Sequence, residues 1–197
     1  MRAFLPFLVV LGAVCTPFSA MAELLDDGVA AYEQRNFPLA RETLAPIAAE
    51  GNAKAQLILG KMYLTGQGVP LNGLIASKWF RRAADQGNAE AQARLGLLYL
   101  RGGGVRQDYR EAAQWLRLAA GQGNTEAQQC LAGLYATGEG VPEDRAAAHA
   151  WYSLAAVDGT MAAIRDRDFL AAKLTPEELA RSAKLQSEWS PGRAPKR

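Results

Sequence analysis

A thiol within reach of an imidazole is the simplest nucleophile–base pair a chain can carry. Beyond the N-terminal stretch, this sequence offers one of each, Cys130 and His149. A working pair also needs a third group to orient the imidazole, and none can be named. A lone thiol reads first as a small buried side chain, with a reactive or intermolecular thiol as the alternative. One histidine excludes multi-histidine metal sites, and one cysteine excludes thiolate clusters. The acidic residues are scattered, with no spaced pair suited to acid–base work. No catalytic residue, metal or cofactor is therefore expected.

A second candidate is the glycine-rich loop "GEGVP" at 138, which has the look of a phosphate cradle. A phosphate loop also wants a Lys-Ser/Thr pair or a preceding strand. Neither is present. "GQGVP" at 66 and "GGGVR" at 102 are further copies of the loop, and a loop that recurs at a fixed period is architecture. Gly66, Gly102 and Gly138 would each close a helix in the left-handed conformation. Gly68, Gly104 and Gly140 complete the loops, and the following proline suits the first turn of the next helix. Asp108 and Asp144 suit that helix's positive end.

The elements that hold these loops repeat. "GNAKAQLILGKMYLTGQGV" from Gly51, "GNAEAQARLGLLYLRGGGV" from Gly87 and "GNTEAQQCLAGLYATGEGV" from Gly123 align without gaps at a step of 36. Thirteen positions of the unit are identical in all three copies, far beyond what composition alone gives. In the first copy the spacing predicts one helix over about 53–64, with Ala55, Leu59 and Tyr63 on one face, and a second over about 71–84. Ala76, Trp79, Phe80, Ala83 and Ala84 form a broad apolar stripe on the second helix. It recurs at Ala112, Trp115, Leu116, Ala119 and Ala120, and at Ala148, Trp151, Tyr152, Ala155 and Ala156. No stretch alternates as a strand does, so the fold class is all-α. Trp79, Trp115 and Trp151 are expected to be knobs that fill the space left by small residues such as Gly60 and Gly96. One repeat apart, they should enter successive cores rather than one ligand box.

The ends differ. "MRAFLPFLVVLGAVCTPFSAMA", residues 1–22, has a basic start at Arg2, a short apolar run and an Ala-x-Ala ending, the layout of a cleaved signal peptide. An uncleaved anchor is the alternative. The expected location is periplasmic or secreted. The formal charge of +2 argues against nucleic acid as a partner. Residues 23–50 read as a shorter helix pair, with Gly28 lying 32 residues before Gly60. Units follow at 51–86, 87–122 and 123–158. Capping helices are expected over 159–189, opened by a Thr175/Glu178 capping box. Leu179, Ala183 and Leu185 would face the last repeat, Trp189 would close the end, and 190–197 would be a disordered tail.

The unit A-x-x-x-L-G-x-x-Y-x-x-G-x-G-V-x-x-D-x-x-x-A-x-x-W-x-x-x-A-A-x-x-G resembles the Sel-one-like repeat (SLR), a relative of the tetratricopeptide repeat. Asn72 in place of Asp and Ala132 in place of Gly are the departures. The resemblance implies a right-handed superhelical α-solenoid of helix-turn-helix repeats. It also implies a non-catalytic scaffold or adaptor for a protein or peptide partner, often in bacterial envelope assembly, signalling or host contact. A cysteine-rich branch that resembles β-lactam-binding proteins or hydrolases carries a Cys pair in each repeat, which this chain lacks. First helices should line the concave face. The partner-binding candidates there are Lys54, Leu57, Lys61, Leu64, Glu90, Leu97, Leu100, Arg101, Glu126 and Gln129, with Leu57, Leu97 and Leu100 as an exposed apolar strip.

Overall fold

The computed structural model describes residues 17–189. The expected leader up to Thr16 and the expected tail from Ser190 lie outside the described residues. Ten α-helices follow one another: α1(Pro17–Glu33), α2(Phe37–Ala49), α3(Ala53–Thr65), α4(Gly73–Asp85), α5(Ala89–Arg101), α6(Tyr109–Gly121), α7(Thr125–Thr137), α8(Arg145–Ala155), α9(Met161–Ala171) and α10(Pro176–Trp189), with no strand among the described residues. Each helix packs against its neighbours in sequence to form a helical solenoid, and α10 departs from the sequence by packing on α8. Helix α1 runs unbroken across Ala22 and Glu23, the expected cleavage point.

Side chains set the helix starts. Asn52, Asn88 and Asn124 accept hydrogen bonds from the backbone N–H of Ala55, Ala91 and Ala127 at 2.9–3.0 Å, filling orphan donors of the first turn. Asp108 and Asp144 do the same for α6 and α8. Asn72 caps α4 through Ile75 N–H at 3.0 Å, so replacing Asp by Asn keeps the cap. These caps correct one expectation. Because Asn72 holds the N-cap, α4 begins at Gly73 rather than Leu71, and Pro70 lies in the loop, as Pro142 does ahead of α8.

The loop glycines have two roles. Gly102 ends α5 at φ 73° in the left-handed region. Gly104, at φ 88°, meets the preceding repeat: a Cβ there would lie 2.2 Å from the carbonyl carbon of Gly73, the first residue of α4. Gly68 and Gly140 stand in the same way against Phe37 and Tyr109, the first residues of α2 and α6. The first unit shortens this loop, joining α1 to α2 through three residues where α3 and α4 are joined by seven.

Close helix approach inside the first three pairs comes from a glycine facing a large side chain; in the α7–α8 pair Ala132 holds that position. A Cβ on Gly28 would sit 2.6 Å from Leu44, one on Gly60 2.5 Å from Phe80, and one on Gly96 2.7 Å from Leu116. The tryptophans therefore do not fill these spaces, contrary to the sequence expectation. The next residue along the helix is turned by about 100°, and that turn points Phe80 and Leu116 into the pair while Trp79 and Trp115 stay half-buried. Trp151 is 3% exposed. The three tryptophans pack against three different core clusters.

A ladder of buried glutamines joins repeat to repeat. Gln56, Gln92 and Gln128 donate to the carbonyls of Ala48, Ala84 and Ala120, the closing turns of α2, α4 and α6. Gln86 and Gln122 then donate to Gln56 and Gln92 of their own repeats, both at 2.8 Å. A buried amide must be partnered, and these partners fix the angle at which each pair meets the one before.

Helix α10 closes the stack. Thr175 and Glu178 form the reciprocal capping box, with Thr175 N–H donating to the Glu178 carboxylate and Glu178 N–H to the Thr175 hydroxyl. Leu179 and Ala183 are exposed, contrary to expectation, and the packed face carries Ser182, Leu185 and Trp189. That face is one helical step round from the expected one. Trp189 stacks on Trp151 at 4.6 Å, and Arg181 makes a two-pronged ion pair with Asp144, the cap of α8.

Candidate functional site

The first helices touch one another across repeat boundaries, α1 with α3 and α5 with α7, whereas among second helices only α8 packs comparably, against α10. The first helices are thus the closer-spaced, inner layer. Charge is organised along it. Lys61 pairs with Glu90 at 2.7 Å, Glu90 with Arg94 at 3.7 Å, and Arg94 with Glu126 at 3.5 Å. This ladder crosses α3, α5 and α7. Its members are part-exposed, so each pair contributes only about 0–1 kcal/mol to stability. Groups that contribute so little to the fold are free to exchange partners.

Two further side chains report on the same face. Burial, and then Glu90, push the Tyr32 phenol above its ordinary value, while Arg94 pulls it down. Tyr32 of α1 therefore belongs with the ladder. Burial pushes the Cys130 thiol up, Glu126 adds to the push, and Arg101 opposes it. A thiol held protonated is a poor nucleophile.

The sequence candidates divide. Lys61, Glu90 and Glu126 come together in the ladder, and Arg101 lies in the field of Cys130. Lys54 is exposed and Gln129 half-buried. Leu64 and Leu100 are partly buried against the core. Leu57 and Leu97 are 7% and 5% exposed, so the expected apolar strip of Leu57, Leu97 and Leu100 does not exist. An inner helix is covered by its own partner, the preceding second helix and the neighbouring first helices. It buries positions that a surface helix would leave free: α3 buries every residue from Ala55 to Gly60. Arg94 and Tyr32 were missed, although the alternation Lys61, Glu90, Arg94, Glu126 on successive first helices was there to be read.

No nucleophile–base pair forms from Cys130 and His149. The Nδ1 of His149 shares a hydrogen bond with the Ser182 hydroxyl at 2.8 Å, and Ser182 is fully buried, out of reach of a substrate. Burial lowers the His149 pKa, Arg167 lowers it further and Asp168 opposes them. Among the described residues no group of three or more His, Cys, Asp or Glu is placed to hold a metal ion. No helix there is long and apolar enough to cross a membrane.

The Sel1 repeat family profile matches residues 53–88, 89–124 and 125–156. Two solved structures are similar to most of the chain. The Sel1 repeat protein of Oxalobacter formigenes is 30% identical, with a TM-score of 0.72, over 86% of this chain and 72% of that one. A protective antigen of uropathogenic Escherichia coli displaying an SLR fold is 29% identical, with a TM-score of 0.75, over 94% of this chain. The match covers 43% of the antigen, so the present chain spans less than half its length. No curated protein matches.

Proposed function

Because the chain belongs to the Sel1 repeat family, whose proteins generally mediate protein–protein interactions, we propose that it is a non-catalytic scaffold of the bacterial cell envelope that binds a protein or peptide on its inner face. The carrying observation is the ladder Lys61–Glu90–Arg94–Glu126, with Tyr32 in the field of Glu90 and Arg94, and Cys130 in that of Glu126 and Arg101. Alternating charges on a rigid, closely spaced helical layer favour an extended partner of complementary polarity, and electrostatic matching of this kind supplies specificity more than raw affinity. The outer ends of the layer, at exposed Lys54 and Arg101, widen the surface.

The test compares capture from envelope extracts by the wild type, by Glu90→Lys with Glu126→Lys, and by Lys78→Glu on exposed α4 surface. Circular dichroism confirms that each variant folds. Loss of a discrete set of captured proteins in the double variant alone is the expected result. Equal capture by all three removes the inner face from the account. Export is tested separately by N-terminal sequencing of the periplasmic product, which should begin at Glu23. Recovery of the chain only in the cytoplasm would overturn the envelope assignment.

A further inference from the structure

The outer surface carries a second periodic feature, independent of the inner-face reading. Three grooves recur at the step of 36, each built by two second helices over the first helix between them. In the groove of α4, α5 and α6, Arg81 donates to the Tyr99 hydroxyl. Its guanidinium carbon lies 5.7 Å from the Tyr99 ring and 5.2 Å from the Trp115 ring, and Glu111 pairs with it at 3.6 Å. In the next groove, Arg117 donates to the Tyr135 hydroxyl at 2.8 Å and lies 5.8 Å from that ring, and Trp151 occupies the tryptophan position. Both of these grooves thus hold an arginine of their own chain against a Tyr, and that of Arg81 holds it against a Trp as well.

The first groove has the Tyr and the Trp but not the arginine. Tyr63 and Trp79 stand where Tyr99 and Trp115 stand, while Ala45 replaces Arg81. What remains is a cavity of about 380 Å³ lined by Arg41, Glu42, Ala45, Leu59, Tyr63 and Trp79. Among the described residues, no hydrogen bond reaches the Tyr63 hydroxyl. Trp79 carries Arg82 of its own helix at 4.8 Å, and Arg82 is not among the residues that line the cavity. Glu42 brings to this groove the carboxylate that Glu111 brings to the next.

We propose that the groove between α2 and α4 is a docking site for an arginine side chain of a partner protein. The guanidinium takes the place that Arg81 and Arg117 hold in the other grooves, donating to Tyr63, stacking by Trp79 and pairing with Glu42. Planar, weakly hydrated guanidinium suits such a slot better than the compact, strongly hydrated ammonium of lysine. Arg41 on the rim opposes the incoming charge, so its removal should tighten binding.

The test uses N-acetyl-arginine amide as the probe on the full chain, followed through the Trp79 indole N–H resonance, which is assigned by its loss in Trp79→Phe. A saturable shift at millimolar probe is expected, with N-acetyl-citrulline amide giving none and N-acetyl-lysine amide a shift at least several-fold weaker. Ala45→Arg supplies the missing plug and should abolish the response. Tyr63→Phe and Glu42→Gln should each weaken binding several-fold and Arg41→Ala should strengthen it, so the reading does not depend on one variant folding. An equal response to citrulline or to lysine, or an undiminished response in folded Ala45→Arg, would overturn the proposal. A shift that appears only once residues 190–197 are removed would assign the groove to the chain's own end and equally overturn it.

Discussion

Exchanging Gly96 for alanine should change sign with its neighbour. In the wild-type chain the new methyl would lie 2.7 Å from Leu116 Cγ and 3.0 Å from Cδ2. Leu116 is fully buried and has nowhere to move, so overpacking costs about 1–3 kcal/mol. Against this, replacing a mid-helix glycine by alanine returns about 1 kcal/mol of helix propensity. The net is a loss of about 0–2 kcal/mol. Leu116→Ala alone leaves a cavity and costs about 2–5 kcal/mol. In that background both clashing atoms are gone, and the nearest remaining contact is the residue-116 amide nitrogen at 3.2 Å. Gly96→Ala should then stabilise by about 1 kcal/mol, giving a coupling of about 1–3 kcal/mol between the two sites. Urea melts of the four proteins, followed by helical circular dichroism with slopes compared for two-state behaviour, measure the cycle. The same sign and size for Gly96→Ala in both backgrounds would refute the idea that this glycine exists to admit Leu116.

Gly140→Ala should destabilise the chain more than Gly138→Ala: both have positive φ, but only Gly140 has the Tyr109 carbonyl carbon 2.3 Å from the added carbon, against 3.4 Å to a Glu143 side-chain atom at Gly138. Equal shifts of the urea midpoint would contradict the loop contact. Trp151→Ala should cost about 3–5 kcal/mol, the range for a fully buried aromatic, and Trp115→Ala, half-buried, clearly less in the same melts; the reverse order would overturn the assignment of cores. Because the folded pKa of His149 is lowered, the unfolded chain binds more protons as pH falls below about 6.5. Stability should therefore be full above that value and decline as pH drops toward the folded pKa. His149→Gln should flatten that part of the profile in melts at pH 7.5 and 5.5, and an unchanged slope would remove His149 as its source.

Repetition made the fold legible. Once three segments align without a gap, the helix pairs, their asparagine caps and their glycine ends follow from local chemistry. What lay hidden was the direction of side chains around an inner helix. Leu57 and Leu97 sit where a surface helix would face water, and the partner helix together with the neighbouring repeats buries them. Trp79 and Trp115 are larger than Phe80 and Leu116, so size favoured the wrong residue of each adjacent pair; a turn of one helical step decides which enters the core. Gln56, Gln92 and Gln128 were visible as identical letters, but a glutamine reads as surface until its partner carbonyl is known. The arginines of the outer grooves escaped notice for the same reason, since their partners lie on helices that sequence alone does not bring together.

Helix α10 has a wider consequence. Every pair in the stack offers its successor much the same adhesive side, and a head-to-tail contact of that kind does not close on itself. Where Trp189 lies over Trp151 and Arg181 grips Asp144, that adhesive side is already occupied. Without this lid, the contact that joins unit to unit would join molecule to molecule, and a discrete particle would become the first link of a filament.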